Sequence, residues 1–246
     1  MHHSIMDGMK RKSDQRILQH SKNAKSIEIA EVGRLLAQGG RAFLVIRHAE
    51  RPPLENGDAT FGENLPLTVR GMMEAVAFGM MFKKHCGNIL PRFFHGGNVR
   101  CRRTADLLAT EWHSNAESVR RRLPALGSES PYLGDVAARL ALTETGDYMA
   151  AKNAYFRNGW QRGFNRLPEA TAEFERTLFA AADARFAFFV THDLNVACYM
   201  AGRGVRTRFD EATWPGFLDA VVVLQDTNGA TRYGEMRRPA NLVQQV

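Results

Sequence analysis

Short apolar runs alternate along this chain with longer stretches whose apolar residues recur every three or four positions. Residues 42–46 (Ala-Phe-Leu-Val-Ile) and 186–190 (Phe-Ala-Phe-Phe-Val) are unbroken runs of strand length, the pattern of strands buried on both faces. Residues 92–95 (Arg-Phe-Phe-His) predict a shorter strand, closed by a turn at Gly96-Gly97-Asn98. Helical spacing fills the intervals. Ser26 is placed to cap a helix through Val32, Leu35 and Leu36 that Gly39-Gly40 stops. Thr68 opens a helix carrying Val69, Met72, Met73, Val76 and Met80, with Lys83 and Lys84 near the negative end of its dipole. Further helices are expected over 100–112, from Pro168 to Ala182, and over 194–201. Residues 219–224 and 231–235 add two strands joined by a turn at Asn228-Gly229. Such alternation predicts an α/β fold: a three-layer sandwich in which helices cover both faces of a mainly parallel sheet. Residues 113–166 break the alternation and are expected to form an inserted, partly helical cap.

A chain of 246 residues is long for one small domain and short for two, which fits one core plus that insertion. Lysine and arginine number 33 against 26 acidic residues, a formal charge of +7. That excess would suit a nucleic-acid binder. Six basic and two acidic residues, however, fall within the first 25, so +4 belongs to a leader and only +3 to the body. Residues 1–25 are expected to be a flexible basic leader and 26–246 a single domain, with no nucleic-acid partner. The longest apolar run, 196–201, has six residues, far short of the roughly 18 that span a membrane, so no membrane span is expected. No apolar stretch of signal-peptide length follows the basic start. Three cysteines without paired spacing suggest reduced thiols and a cytoplasmic location. No cluster of His, Cys, Asp and Glu has ligand spacing, so neither metal nor cofactor is expected. Nothing in the pattern assigns an oligomeric state.

In open α/β sheets ligands bind at the carboxyl ends of the strands, and the unusual polar residues of this chain fall there. The first strand runs into Arg47-His48-Ala49-Glu50-Arg51-Pro52-Pro53, the second is followed by Arg100, and the third ends in Thr191-His192-Asp193. Taken singly, each has an ordinary explanation: a surface arginine, a packed histidine, an aspartate capping the next helix. Three such coincidences at equivalent strand ends point to a site.

These residues resemble the histidine phosphatase (phosphoglycerate mutase-like) superfamily. The resemblance rests on the Arg-His-x-x-Arg-x-Pro stretch at 47–53, on Leu67-Thr68-Val69-Arg70-Gly71 as a helix start, on Arg100-Cys101-Arg102-Arg103-Thr104-Ala105, and on His192-Asp193. The Arg-x-Pro extension and the His-Asp pair are similar to the histidine acid phosphatase branch. The resemblance implies a metal-independent phosphatase that hydrolyses a small phosphate monoester. His48 would be the nucleophile, Arg47, Arg51, Arg100 and His192 the phosphate pocket, and Asp193 the proton donor. Glu129 and Glu50 are rival acids, Glu129 because the mutase branch takes its acid from a loop elsewhere. A phosphomutase, or a catalytically dead module that binds a phosphate ligand, are the alternative functions.

The residue types suit that chemistry. Guanidinium groups stay charged and offer planar forks to phosphate oxygens, and positive neighbours keep an imidazole neutral and able to attack. From the cap, Arg120, Arg121, Arg122, Lys152, Tyr155, Arg157 and Trp160 are candidates to meet the rest of the substrate.

Overall fold

The computed structural model describes residues 26–54, 62–112, 120–135, 138 and 148–244. The basic leader and residues 113–119, 136–137 and 139–147 of the expected cap lie outside the described residues. In chain order the elements are α1 (Ile29–Ala37), β1 (Arg41–Arg47), α2 (Val69–Cys86), β2 (Arg92–His95), α3 (Val99–Ala109), β3 (Arg120–Arg122), a 3-10 turn (Pro124–Leu126), α4 (Tyr148–Asn158), α5 (Leu167–Ala181), β4 (Phe186–Thr191), α6 (Asp193–Gly202), β5 (Ala220–Gln225) and β6 (Thr231–Met236).

One sheet holds the six strands of the described residues in the order β3-β2-β4-β1-β5-β6. The four strands from β3 to β1 run parallel, β5 is antiparallel to β1, and β6 is antiparallel to β5. Every residue of β4 is buried, as its continuous apolar run demands. Alternate side chains then serve two cores. Leu44, Ile46, Phe186, Phe188 and Val190 pack under α1, α2 and α3. Phe43, Val45, Ala187 and Phe189 pack against α4, α5 and α6 on the other face. Phe188 stacks on Phe93 at 5.2 Å between centroids and Phe189 on Phe94 at 4.9 Å, so the central strands are stapled on both sides.

Two local expectations are corrected, and one ordinary explanation weighed from the sequence falls away. Ser26 caps nothing: Glu28 is the N-cap of α1, without a side-chain bond, and Ser26 instead bridges to Glu235. Arg120–Arg122 pairs in parallel with β2, so the strand and helix alternation runs one strand further into residues 113–166 than the apolar pattern shows. An edge strand so exposed carries no apolar run to announce it. His192, not Asp193, is the N-cap of α6; Asp193 is its first residue.

The segment after β1 is clamped from two sides. Ala49 N donates to Thr104 Oγ1 (3.0 Å), whose hydroxyl donates to Arg100 O (2.8 Å). Thr68 N donates to Glu50 O (3.0 Å), and the Thr68 hydroxyl donates to the Glu50 carboxylate (2.9 Å) while accepting from Gly71 N (2.9 Å) as the N-cap of α2. Gly71 is required because a Cβ there would press into the Glu50 carbonyl. Gly71→Ala is therefore expected to destabilise the fold by about 1–3 kcal/mol through overpacking. Thermal unfolding checks this; an unchanged melting temperature would show that the loop yields freely.

Candidate active site

The parallel register of β1 and β4 sets Arg47 beside Thr191, so the residues that follow them, His48 and His192, meet at the carboxyl edge of the sheet. Their ring centroids lie 5.4 Å apart. His48 N donates to Thr191 O (2.9 Å), and the residue is buried. Its Nδ1 is 2.8 Å from Ala49 O. A carbonyl only accepts, which assigns the proton to Nδ1 and leaves the Nε2 lone pair to accept from Arg100 Nε at 3.1 Å. Burial pushes the pKa of His48 well below the usual range, and His192, Arg47 and Arg100 push the same way. It stands as a neutral imidazole with a directed lone pair.

Arg100 is the second residue of α3. Asn98 caps that helix by accepting from Cys101 N through Oδ1 (3.2 Å), which turns its amide nitrogen toward His192 Nε2 at 2.9 Å. His192 Nε2 is then the acceptor and its Nδ1 the donor. Arg100 donates through Nη1 to the carbonyls of Gly62 and Glu63. Its Nη2 lies 3.5 Å from His192 Nδ1. Two donors face each other there with no acceptor between them among the described residues. Arg47 adds a third, because its Nε is buried and has no acceptor among the described residues. The rest of its guanidinium is held: Nη1 donates to Pro215 O (2.7 Å), and the plane lies 4.2 Å over the Phe217 ring. Arg51 donates to Pro52 O (2.7 Å) and adds its charge to the field on His192. Burial first, then Arg100, pushes the pKa of His192 down to about 4. Convergent donors with unused N–H bonds are what an oxyanion needs.

Asp193 completes the cluster. Its Oδ1 accepts from Leu194 N (2.8 Å), its Oδ2 accepts from Trp214 Nε1 (3.0 Å) and lies 3.5 Å from Arg47 Nη2. Burial pushes its carboxyl up, but Arg47, the Trp214 indole and Lys152 together hold it below the usual range. The rival acids are placed otherwise. Glu50 is tied to Thr68 at the start of α2. Glu129 is exposed, in the turn after the 3-10 segment, and takes no part in the hydrogen-bond network around His48 among the described residues.

No protein-family model matches the sequence, and no curated protein matches it. Solved structures do. A phosphoglycerate mutase from Bacillus anthracis superposes with a TM-score of 0.52 at 10% identity, covering 83% of this chain and 96% of its own. A mycobacterial glucosyl-3-phosphoglycerate phosphatase in complex with VO3 gives 0.51 at 17% identity, covering 81% and 100%. A protein described as mycobacterial hydrolase 1 gives 0.50 at 19%, covering 82% and 99%. The chain has the histidine phosphatase (phosphoglycerate mutase-like) fold.

Within this histidine phosphatase fold, the structure gathers His48, Arg47, Arg51, Arg100, His192 and Asp193 at one sheet edge. Of the seven cap candidates named from the sequence, all of them described residues, Lys152 reaches the surroundings of Asp193. Tyr155 is core, its hydroxyl donating to Asn165 O (2.8 Å), while Arg157 and Trp160 are exposed. Arg120 pairs with Asp106 and Arg121 with Asp183, both as sheet-edge ion pairs, and Arg122 lies against Gly97.

Sequence reasoning missed Asn98, Trp214, the Pro215 carbonyl and Phe217. Asn98 was legible as a helix cap. The other three sit in the segment that enters β5, and because β5 runs antiparallel to β1 its beginning lies at the ends of the parallel strands. No local pattern announces that neighbour. The segment is pinned where it matters: Leu218, buried with φ of 63°, donates its N–H to Arg47 O (3.2 Å), and Asp219 accepts from Gly216 N and Arg237 (both 2.7 Å).

Proposed function

We propose that this protein hydrolyses small phosphate monoesters through a phosphohistidine on His48. A monoester dianion repels nucleophiles until its oxygens are neutralised. Arg47, Arg51, Arg100 and His192 supply the donors, and the observation that carries the reading is that Arg100 Nη2 and His192 Nδ1 face each other as donors, 3.5 Å apart, with no acceptor between them among the described residues. The His48 Nε2 lone pair attacks phosphorus, the bond to the leaving oxygen breaks, and that oxygen takes a proton from Asp193. Asp193, now ionised, takes a proton from water. The resulting hydroxide displaces phosphate from His48 as the P–N bond breaks.

Asp193 must be protonated for the first step, yet Arg47 holds it ionised in the free protein. A bound dianion resolves this: it places negative charge beside the carboxylate and competes for Arg47, both of which push the Asp193 carboxyl up. Ester binding then takes up a proton, and turnover of esters with poor leaving groups falls as pH rises. Asp193→Asn is the test. It is expected to lower kcat on an alkyl phosphate by about 10²–10⁴-fold, and to affect p-nitrophenyl phosphate far less, because nitrophenolate leaves without a proton. Equal losses on both esters would exclude Asp193 as the acid.

A further inference from the structure

Asp193 is held by a group that the hydrolytic chemistry does not itself require. The indole N–H of Trp214 donates to Oδ2 at 3.0 Å, and the ring has little freedom. Phe209 packs nearly perpendicular to it at 5.5 Å between centroids, its backbone N–H donates to Asp210 O (2.8 Å), and its carbonyl accepts from Arg237 (3.3 Å). Lys152, on α4, places its ammonium 3.9 Å from the centroid of the same indole and 4.0 Å from that of Tyr148, one helical turn before it. That ammonium has aromatic faces for neighbours and no carboxylate in ion-pair contact among the described residues. Desolvated between two rings, a cation interacts strongly with the π face. It also draws electron density from the ring, which makes the indole N–H a better donor to a carboxylate.

We infer that Trp214 and Lys152 are a positioning pair for the leaving-group acid: Lys152 orients and polarises the indole, and the indole fixes the Asp193 carboxyl toward the phosphate pocket. The inference rests on the proposed role of Asp193 as the proton donor. The pair links the acid to α4, so a helix packed over the sheet takes part in the protonation step without touching the phosphate. Other charged or titratable groups also face Asp193: Arg47 from β1, Arg100 from α3, and His192 and Cys198 on either side of it in sequence. Among the described residues, Trp214 and Arg47 are the two that reach its Oδ2 directly. Both Trp214 and Lys152 favour the ionised carboxyl, so losing either raises the pH at which Asp193 gives up its proton.

The experiment is the pH dependence of kcat on glycerol 2-phosphate and on p-nitrophenyl phosphate for Trp214→Phe, Lys152→Met and the double variant. Trp214→Phe keeps a ring for Lys152 and deletes the N–H. Activity on the alkyl ester requires protonated Asp193 and is lost as pH rises through its ionisation. That loss is expected to move to higher pH by about one unit in Trp214→Phe and by less in Lys152→Met, with no displacement on the nitrophenyl ester. The double variant is expected to move by less than the two single displacements combined, because Lys152 acts through the indole. Trp214→His, which keeps a ring N–H, is expected to recover part of the displacement. An unmoved limb in Trp214→Phe, or the same displacement on both esters, overturns the pairing. If Trp214→Phe does not fold, an unmoved limb in Lys152→Met overturns it instead. Asp193→Asn separates the two levels: if that variant loses both esters equally, the acid assignment itself fails.

Discussion

His48→Ala is expected to lose turnover of every phosphate monoester, on the order of 10⁴-fold or more, because no neighbouring group replaces the lone pair it removes. Brief mixing with a phosphorus-labelled ester should trap alkali-stable, acid-labile phosphate on the native protein and none on the variant. Label that survives the substitution would rule out His48 as the nucleophile. The same residue sets an acid limit. Burial and three positive or titratable neighbours, His192, Arg47 and Arg100, lower its pKa in the folded protein, so His48 remains neutral below pH 6.5. Turnover of p-nitrophenyl phosphate is therefore expected to persist under mildly acidic conditions in which an ordinary histidine would be protonated. The sign for folding is the opposite. Between 6.5 and the lowered folded values of His48 and His192, the unfolded chain binds the extra protons, so stability falls as pH drops through that window.

Arg100→Met is the second large effect. Arg100 donates to His48 Nε2, to the loop carbonyls of Gly62 and Glu63, and stands beside His192 Nδ1. On the proposed reading, its loss removes one wall of the phosphate pocket and the donor that orients His48. kcat/KM is expected to fall by about 10²–10³-fold, and Arg100→Lys to recover little of it, since an ammonium cannot span His48 and the phosphate as a planar fork does. Folding should respond differently. Arg100 is 6% exposed and burial lowers its pKa, which on the proposed reading makes it a cation placed for a ligand rather than for stability. Arg100→Met is expected to melt at the native temperature or above it, because the cost of burying an unligated charge disappears. Parallel kinetics and thermal unfolding check both halves. A variant that loses stability in step with activity would mark Arg100 as structural.

Much of the fold was legible because its signals are local. An apolar run such as 186–190 needs only its own residues to read as a buried strand, and Thr68 with Gly71 marks a helix start through a bond spanning three positions. The candidate site was partly legible for the same reason: Arg47 and His48 follow the run 42–46 directly, and His192 and Asp193 follow the run 186–190 after Thr191. Asp193 shows where this stops. A residue that opens a helix has the ordinary look of a cap, and only the approach of Trp214, Arg47 and Lys152 distinguishes it from one. Arg120–Arg122 shows a second limit, since an exposed, charged edge strand carries none of the burial that makes strands readable.

By itself, then, the sequence determined the alternation of strands and helices, the two-sided burial of the sheet, and the presence of nucleophilic, cationic and acidic groups at strand ends. Tertiary structure alone decided which ends are neighbours. The parallel pairing of β1 with β4 joins His48 to His192 across 144 positions, and the antiparallel β5 delivers Trp214, Pro215 and Phe217 to the same edge. Strand order follows from the packing of whole faces, Phe188 on Phe93 and Phe189 on Phe94 among them, and that energy is shared among distant residues that no local window contains.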